Sequence, residues 1–284
     1  MKLVNASEML KKAYEGKYAV PHFNINNLEV LKAILVTCEE EKSPVIIGVS
    51  EGAIKYMCGV NTVAGMIKGM VEDLNLTIPV ALHLDHGSEK YFLSSLKAGF
   101  TSVMFDGSKL SFEENLKKTA EMSKLAKKYK ASFEAEIGAI GENKANGELA
   151  TVEQALAMTK AAKLDVLAAG IGNIHGPYPA DWKSLNFDRL KELHENAKMG
   201  IVLHGGSGIP KDQVKKAISL GVTKINVNTE LQISCHDEVR KYIIEGHDLE
   251  AKNYDPRKWL KPGYEAMCKT VKELIEWFGS NNKA

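Results

Sequence analysis

The chain has no excess of either charge: 37 lysines and arginines stand against 36 aspartates and glutamates. That balance projects no global field to gather nucleic acid or an anionic membrane, so neither is an expected partner. Long hydrophobic runs are missing too, and none approaches the ~20 apolar residues a membrane span needs. The opening segment Met1–Leu10 lacks the extended apolar core of a signal peptide. Cysteine is sparse: Cys38, Cys58, Cys235 and Cys268 are scattered, with no CxxC pair and no metal spacing. This pattern suits reduced, mostly buried thiols in a cytoplasmic protein and excludes a disulfide scaffold. No low-complexity or linker-like segment divides the 284 residues, so one domain over 1–284 is expected.

What is present is an alternation of short apolar runs and longer amphipathic ones. Runs that read as strands are Ala19–Ile25, Pro44–Ser50, Val80–His86, Thr101–Asp106, Ala131–Gly138, Val166–Ile171, Gly200–His204 and Thr223–Asn228. Between them lie stretches of helical period. Leu28–Glu41 has apolar residues at Leu28, Leu31, Ile34, Leu35 and Cys38. Ser111–Tyr129 opens with Ser111 as N-cap and Glu114 three residues on, and Gly99 ends the helix at 89–98. Two polar stretches, 139–149 and roughly 172–186, interrupt the pattern. Eight strand–helix units predict an α/β fold, a (β/α)8 TIM barrel, with a helical C-terminal extension at about 255–278. A doubly wound open sheet is the alternative. It is disfavoured because polar residues end nearly every strand and not only those at one switch point.

In a barrel, function gathers where the strands end. Those ends carry Asn24, Ser50, Asp85 and His86, Asp106, Glu134 and Glu136, His175, His204, then Asn226 and Asn228. A solvated strand end would account for any one of them. A barrel serving only as scaffold has no use for the whole set. His83-Leu84-Asp85-His86-Gly87 places two imidazoles and a carboxylate at one strand end, where burial is costly without partners. His175 and His204 share the setting of His86, each read as closing an apolar strand and each followed by glycine. Three neutral imidazoles with an open fourth position are a known zinc arrangement that polarises a substrate carbonyl or hydroxyl. His83 lies on the same strand face as Asp85, as a supporting or interior residue. The loop His204-Gly205-Gly206-Ser207-Gly208-Ile209-Pro210 meets a helix whose first position suits Pro210. Its backbone N–H groups, with Asn226–Thr229 after the last strand, form a candidate phosphate cradle.

These residues resemble the class II, zinc-dependent fructose-1,6-bisphosphate aldolases, in the shorter bacterial subgroup that also includes tagatose-bisphosphate aldolases. The likeness runs end to end through Phe23–Asn26, Pro44–Gly52, His83–Gly87, Glu134–Gly138, His175–Tyr178, Leu203–Gly206, Lys224–Thr229 and Tyr254–Lys258. It implies His86, His175 and His204 as zinc ligands, and Asp106 and Glu136 at an alternative or second metal position. Asp85 is then the acid/base on the aldehyde side. Gly176, Gly205, Gly206 and Ser207, with Asn226, Val227, Asn228 and Thr229, hold dihydroxyacetone phosphate beside a monovalent cation (Na+ or K+). Asn24 and Ser50 are the implied contacts on the aldehyde side. Arg257 matches an arginine that reaches a neighbouring subunit's distal phosphate, which implies a homodimer or homotetramer. A Schiff-base lysine is not needed, and Lys224 is expected at the wrong end of the barrel.

The family follows its Glu-x-Glu-x-Gly strand with a Gly-Gly-x-Glu loop whose glutamate removes the C–H proton. Here Lys144 stands at that place, Glu142 is the candidate base and Glu148 its substitute. Asn228 and His175–Tyr178 look like the fructose members, whereas tagatose relatives tend to carry alanine at the former. The insert Pro179–Ser184 has no such counterpart. A metal-dependent barrel hydrolase, which needs a His-x-His pair where this chain reads His22-Phe23-Asn24, and a silent binding barrel complete the alternatives.

Overall fold

The computed structural model describes residues 2–142 and 147–284. Lys144 therefore lies outside the described residues. The strands are β1 Val20–Asn24, β2 Val45–Ser50, β3 Val80–Gly87, β4 Ser102–Phe105 and β5 Ser132–Ile137, then the two-residue β6 Gly141–Glu142. β7 Val166–Ala169, β8 Ile174–His175, β9 Ile201–Leu203 and β10 Val222–Val227 follow. Eight of them close a parallel barrel in the order β1-β10-β9-β7-β5-β4-β3-β2, while β6 and β8 pair as a separate two-stranded sheet. This is the (β/α)8 architecture expected from the repeat.

Alternation along each strand sorts the side chains into two sets. Phe23, Val45, Ile47, Leu82, Leu84, Val103, Phe133, Ala135, Leu167, Leu203 and Ile225 face the surrounding helices and form the larger apolar core. Their neighbours in sequence face the barrel axis and change character with height. At the N-terminal end Val20, Ile46, Ala81, Met104, Val166, Ala168 and Val202 form a second apolar cluster, closed by Met9, Leu10 and Ala13. Those three belong to the helix Ser7–Gly16, which the strand pattern did not announce and which plugs the barrel floor. One layer up the interior is ionic, with His22, His83, Glu134 and Lys224 all buried. Above that lie Asn24, Asp85, Glu136, His204 and Asn226 at the mouth. Because alternate residues share a face, polarity at Ser132, Glu134 and Glu136 marks the inside of this barrel.

Local signals worked as expected at several ends. Ser111 and Glu114 form the reciprocal capping box on Phe112–Lys128, and Gly99 closes Glu89–Ala98 with φ 97°. Other boundaries moved. Pro210 is the N-cap of Lys211–Ser219 and not its first helical residue. The tail is two helices, Pro256–Trp259 and Lys261–Phe278, the longer packing on Leu28–Glu40 and Thr229–Ile244. Among the described residues no helix is long and apolar enough to cross a membrane.

Two corrections bear on the site. His175 does not close the sixth barrel strand: β7 stops at Ala169. The chain turns through Gly170 and Gly172 (φ 86°), where Asn173 Oδ1 accepts from Ile171 N at 2.9 Å, before re-entering as β8. Lys224 is not at the far end of the barrel either, but midway along β10 with its ammonium inside.

Candidate metal centre and catalytic cavity

His86 reaches the site through a backbone irregularity. The β3–β4 register shifts between Leu84 and Gly87, and His86 sits in the left-handed region at φ 49°. A bulge re-aims side chains, and a non-glycine residue in this region costs on the order of 1–3 kcal/mol, a strain that gathers at functional sites. Gly87 is required beside it, since a Cβ there would lie 2.4 Å from Leu84 Cδ2 and 2.7 Å from the Met104 carbonyl oxygen. His86 Nδ1 donates to Asp106 Oδ2 at 2.8 Å, so that once the ring is neutral Nε2 is the nitrogen with a lone pair. That Nε2 is buried without a hydrogen-bond partner.

His204 follows β9 and is held by β5. Its Nε2 donates to Glu134 Oε1 at 2.8 Å, and Glu134 in turn takes Lys224 Nζ at 2.6 Å. Asn226 Nδ2 lies 3.2 Å from His204 Nδ1 and 3.3 Å from Asp85 Oδ1, tying the imidazole to the carboxylate. His175 comes from β8, whose register sets it opposite Glu142 of β6. Tyr178 secures that segment: its hydroxyl donates to the Gly205 carbonyl at 2.8 Å and accepts from Ile174 N at 3.1 Å. Trp182, from the insert, packs its ring against Tyr178 at a 60° tilt and donates from Nε1 to the Gly172 carbonyl at 2.8 Å.

His86, His175 and His204 thus converge from three elements, and one ligand atom of each lies within 4.8 Å of the others. Burial, then the neighbouring His86 and His204, push the His175 pKa down to about 3, and burial lowers that of His204. For His86 burial also works downward, but Asp85, the Asp106 hydrogen bond and Glu136 prevail and push it up to about 10. Three imidazoles turned on one another, one with an orphaned buried nitrogen and two with carboxylates behind them, fit a borderline-soft divalent cation such as zinc. His86, Asp106 and Glu136 form an overlapping group of the same reach. Burial, then Asp106, raises the Glu136 pKa to about 8, and its Oε2 has no hydrogen-bond partner.

Asp85 stands beside the triad. Asn24 Nδ2 donates to its Oδ2 at 2.8 Å. Burial opposes its charge, yet His86, His22 and His204 hold its pKa well below the usual carboxylate range. The cavity above, of about 420 Å³, is lined by Asn24, Ser50, Asp85, His86, Asp106 and Lys109 on one side. Glu142, His175, Gly176, His204, Gly205, Ser207, Asn226, Asn228 and Thr229 line the other. Gly205 has φ 63°, and a Cβ on it would meet the Ile174 carbonyl oxygen at 2.2 Å. Ser207 Oγ accepts from the N–H groups of Asn228 and Glu230, joining the glycine loop to the first turn of Thr229–Ile244. Free amides at such a helix start suit a phosphate.

Of the residues expected at the site, Glu136, Gly206 and Val227 are buried beneath the cavity wall and Arg257 lies elsewhere. Arg257 is exposed, paired with Asp255 at 2.6 Å, and lines a groove with Leu28, Lys32 and Tyr264. Glu148 is exposed, and its carbonyl accepts from Ala139 N, whereas the Glu142 side chain faces the cavity. The sequence reading missed Lys109 and Tyr178, and gave Glu134 no role. Glu134 had a signal in its strand alternation. Lys109 had none.

A closed parallel barrel with an imidazole triad and an ionised carboxylate at its C-terminal mouth defines a metal-dependent TIM-barrel enzyme. Comparison with known proteins narrows this. The family profile described as Fructose-bisphosphate aldolase class-II matches residues 4–283. A fructose-bisphosphate aldolase of Mycoplasma genitalium is 50% identical, covering 99% of this chain and 100% of its own. One of Streptococcus pyogenes serotype M1 is 48% identical over 100% of both chains. Among solved structures, the YdjI aldolase of Escherichia coli K12 superposes with TM-score 0.86 at 30% identity over 100% of both chains. The chain belongs to the class II fructose-bisphosphate aldolase family, and it is a carbon–carbon lyase.

Proposed function

We propose that this protein reversibly cleaves fructose 1,6-bisphosphate to dihydroxyacetone phosphate and glyceraldehyde 3-phosphate, with zinc on His86, His175 and His204. The observation that carries the reading is the convergence of those three imidazoles beside an ionised Asp85 in a cavity with a phosphate cradle. A bound divalent cation supplies Lewis-acid polarisation of the ketone and hydroxyl oxygens of the dihydroxyacetone half. The protein's residues do the rest. The substrate's first phosphate sits on the Gly205–Ser207 loop and the amides near Thr229. Asp85, oriented by Asn24 and Asn226, takes the proton of the C4 hydroxyl as the C3–C4 bond breaks, and the C4 oxygen becomes the aldehyde carbonyl. The electron pair of the broken bond stays with the three-carbon fragment, and Glu142 returns a proton to C3 to give dihydroxyacetone phosphate. In the synthetic direction each proton moves the opposite way.

Asp106 acts by fixing the His86 tautomer, and with Glu136 it offers a second divalent position. A monovalent cation near the phosphate loop, a cytoplasmic setting, and a homodimer or homotetramer in which Arg257 reaches a neighbouring cavity belong to the same reading. So does one catalytic domain across the whole chain. Arg257 lines a groove apart from the cavity of its own chain, which is in keeping with its serving a neighbour's.

The test is a coupled assay of fructose 1,6-bisphosphate and tagatose 1,6-bisphosphate on one preparation. Fructose 1,6-bisphosphate is cleaved preferentially, activity disappears with chelator and returns with zinc, and borohydride plus substrate leaves the protein unmodified. Activity that survives complete metal removal, or covalent trapping by borohydride, overturns the mechanism. Preference for the tagatose epimer overturns the substrate.

A further inference from the structure

We propose that Lys109 is a specificity-determining residue that recognises the phosphate on the aldehyde half of the substrate; this rests on the bisphosphate reading above. Three carboxylates, Asp85, Asp106 and Glu142, line the cavity, and among its described lining residues Lys109 is the sole lysine or arginine. A hexose bisphosphate carries a phosphate at each end. One end has the glycine loop after β9 and the helix start after β10. In the closed ring those two strands stand diametrically across from β3 and β4. An extended substrate anchored at the first pair directs its other phosphate toward the β2–β4 side. Ser50 and the carboxylates of Asp85 and Asp106 line that side, so a second dianion there needs positive charge from this chain as well as from a neighbouring subunit's Arg257.

The backbone under Lys109 is built to hold it at that rim. Asp106 Oδ1 accepts from Ser108 N at 2.9 Å and from Ser108 Oγ at 2.7 Å. Leu110 N donates to the Gly107 carbonyl at 3.0 Å, and Ser111 caps the following helix. Gly107 is packed so closely that a Cβ would lie 2.2 Å from Asn115 Oδ1. Lys109 itself is exposed and has no ion-pair partner among the described residues, so its ammonium is available to a ligand. Through Asp106 the same turn also orients His86, which places the phosphate-binding charge and a candidate ligand on one short, pinned segment.

The experiment compares zinc-loaded wild type, Lys109→Met and Lys109→Arg on fructose 1,6-bisphosphate and on fructose 1-phosphate, which lacks the distal group. Lys109→Met lowers kcat/KM for the bisphosphate by about 10-fold or more, the scale of one charge-assisted hydrogen bond, chiefly through KM. It leaves fructose 1-phosphate unaffected, and Lys109→Arg keeps most of the bisphosphate activity. Raising ionic strength narrows the difference between wild type and Lys109→Met, since the contact is exposed. Equal losses on both substrates, or no loss on the bisphosphate, overturn the proposal while the aldolase reading stands. A zinc-loaded wild type that cleaves neither substrate overturns the aldolase reading and this proposal with it.

Discussion

Replacing Lys224 by methionine removes the cation that lets Glu134 stay ionised inside the barrel. The two groups are 1% and 2% exposed and 2.6 Å apart. Burial opposes the Glu134 charge, and Lys224 first, then His204, reverse this and hold its pKa well below the ordinary 4.5. Without Lys224 a charged Glu134 would lose a Coulombic attraction of about 6 kcal/mol at an effective dielectric of about 20. The carboxyl has a cheaper escape, which is to take up a proton. At pH 7 that costs about 3.4 kcal/mol, at about 1.36 kcal/mol per pH unit above its ordinary pKa. The lost hydrogen bond adds about 1 kcal/mol. The expected destabilisation is therefore about 4 kcal/mol, within the range of about 3–5 seen when one member of a buried pair is removed. The pH dependence follows from the same exchange. A depressed carboxyl pKa contributes stability that is present above about 4.5 and lost as pH falls through the folded-state value. In Lys224→Met the orphaned Glu134 instead holds a proton, and the cost of holding it falls by about 1.36 kcal/mol per pH unit toward 4.5, so the deficit shrinks on acidification, to about 2 kcal/mol at pH 5. Urea unfolding of the metal-free proteins at pH 7 and pH 5 reads both numbers. Glu134→Gln combined with Lys224→Met recovers at least half of the deficit at pH 7, because the orphaned charge is gone. A deficit independent of pH, or a double variant as unstable as the single one, would refute the reasoning.

Three further outcomes follow from the site. Asp85→Asn lowers kcat by about 10²–10⁴-fold with zinc content unchanged, since the amide keeps the shape but accepts no proton; loss of zinc in parallel would reassign Asp85 to structure. Glu142→Gln slows exchange of the C3 proton of dihydroxyacetone phosphate with solvent at least tenfold, and Glu148→Gln leaves it unchanged, because only Glu142 lines the cavity; NMR of the exchange decides, and the reverse order excludes Glu142. Zinc binding to the metal-free protein at pH 7 releases about one proton, because His86, with a pKa near 10, must surrender one before it ligates. Affinity accordingly rises with pH up to about 10, and calorimetry in buffers of different ionisation enthalpy gives the proton count; a count of zero contradicts it. In the metal-free protein that raised His86 pKa stabilises the fold below about 6.5, and the contribution disappears as pH climbs through about 10.

Strand-end residues were readable where chain order and spatial order coincide. Asp85, His86 and His204 follow apolar runs directly, and glycine after each histidine marks backbone that must pass close to something. His175 was read into the wrong element because Gly170–Asn173 turns on local hydrogen bonds that an apolar run does not announce. Alternation showed that Ser132, Glu134 and Glu136 share a face. It did not show that this face is the interior, since that depends on what the opposite wall supplies. The wall supplies Lys224, 90 residues away, and no local pattern encodes such a pairing. The left-handed backbone of His86 was equally hidden, because histidine has no preference that demands it. Lys109 is one lysine among many in sequence, and it acquires meaning only from its place on the rim of the cavity.

Cleavage is proposed to depend on zinc held by His86, His175 and His204. Anomalous diffraction at the zinc absorption edge, on crystals of the zinc-loaded and active protein, tests it most directly. A zinc peak within bonding distance of one nitrogen from each of the three imidazoles, beside Asp85, is the expected result. An active protein with no peak there, or with its zinc bound away from the triad, would contradict it.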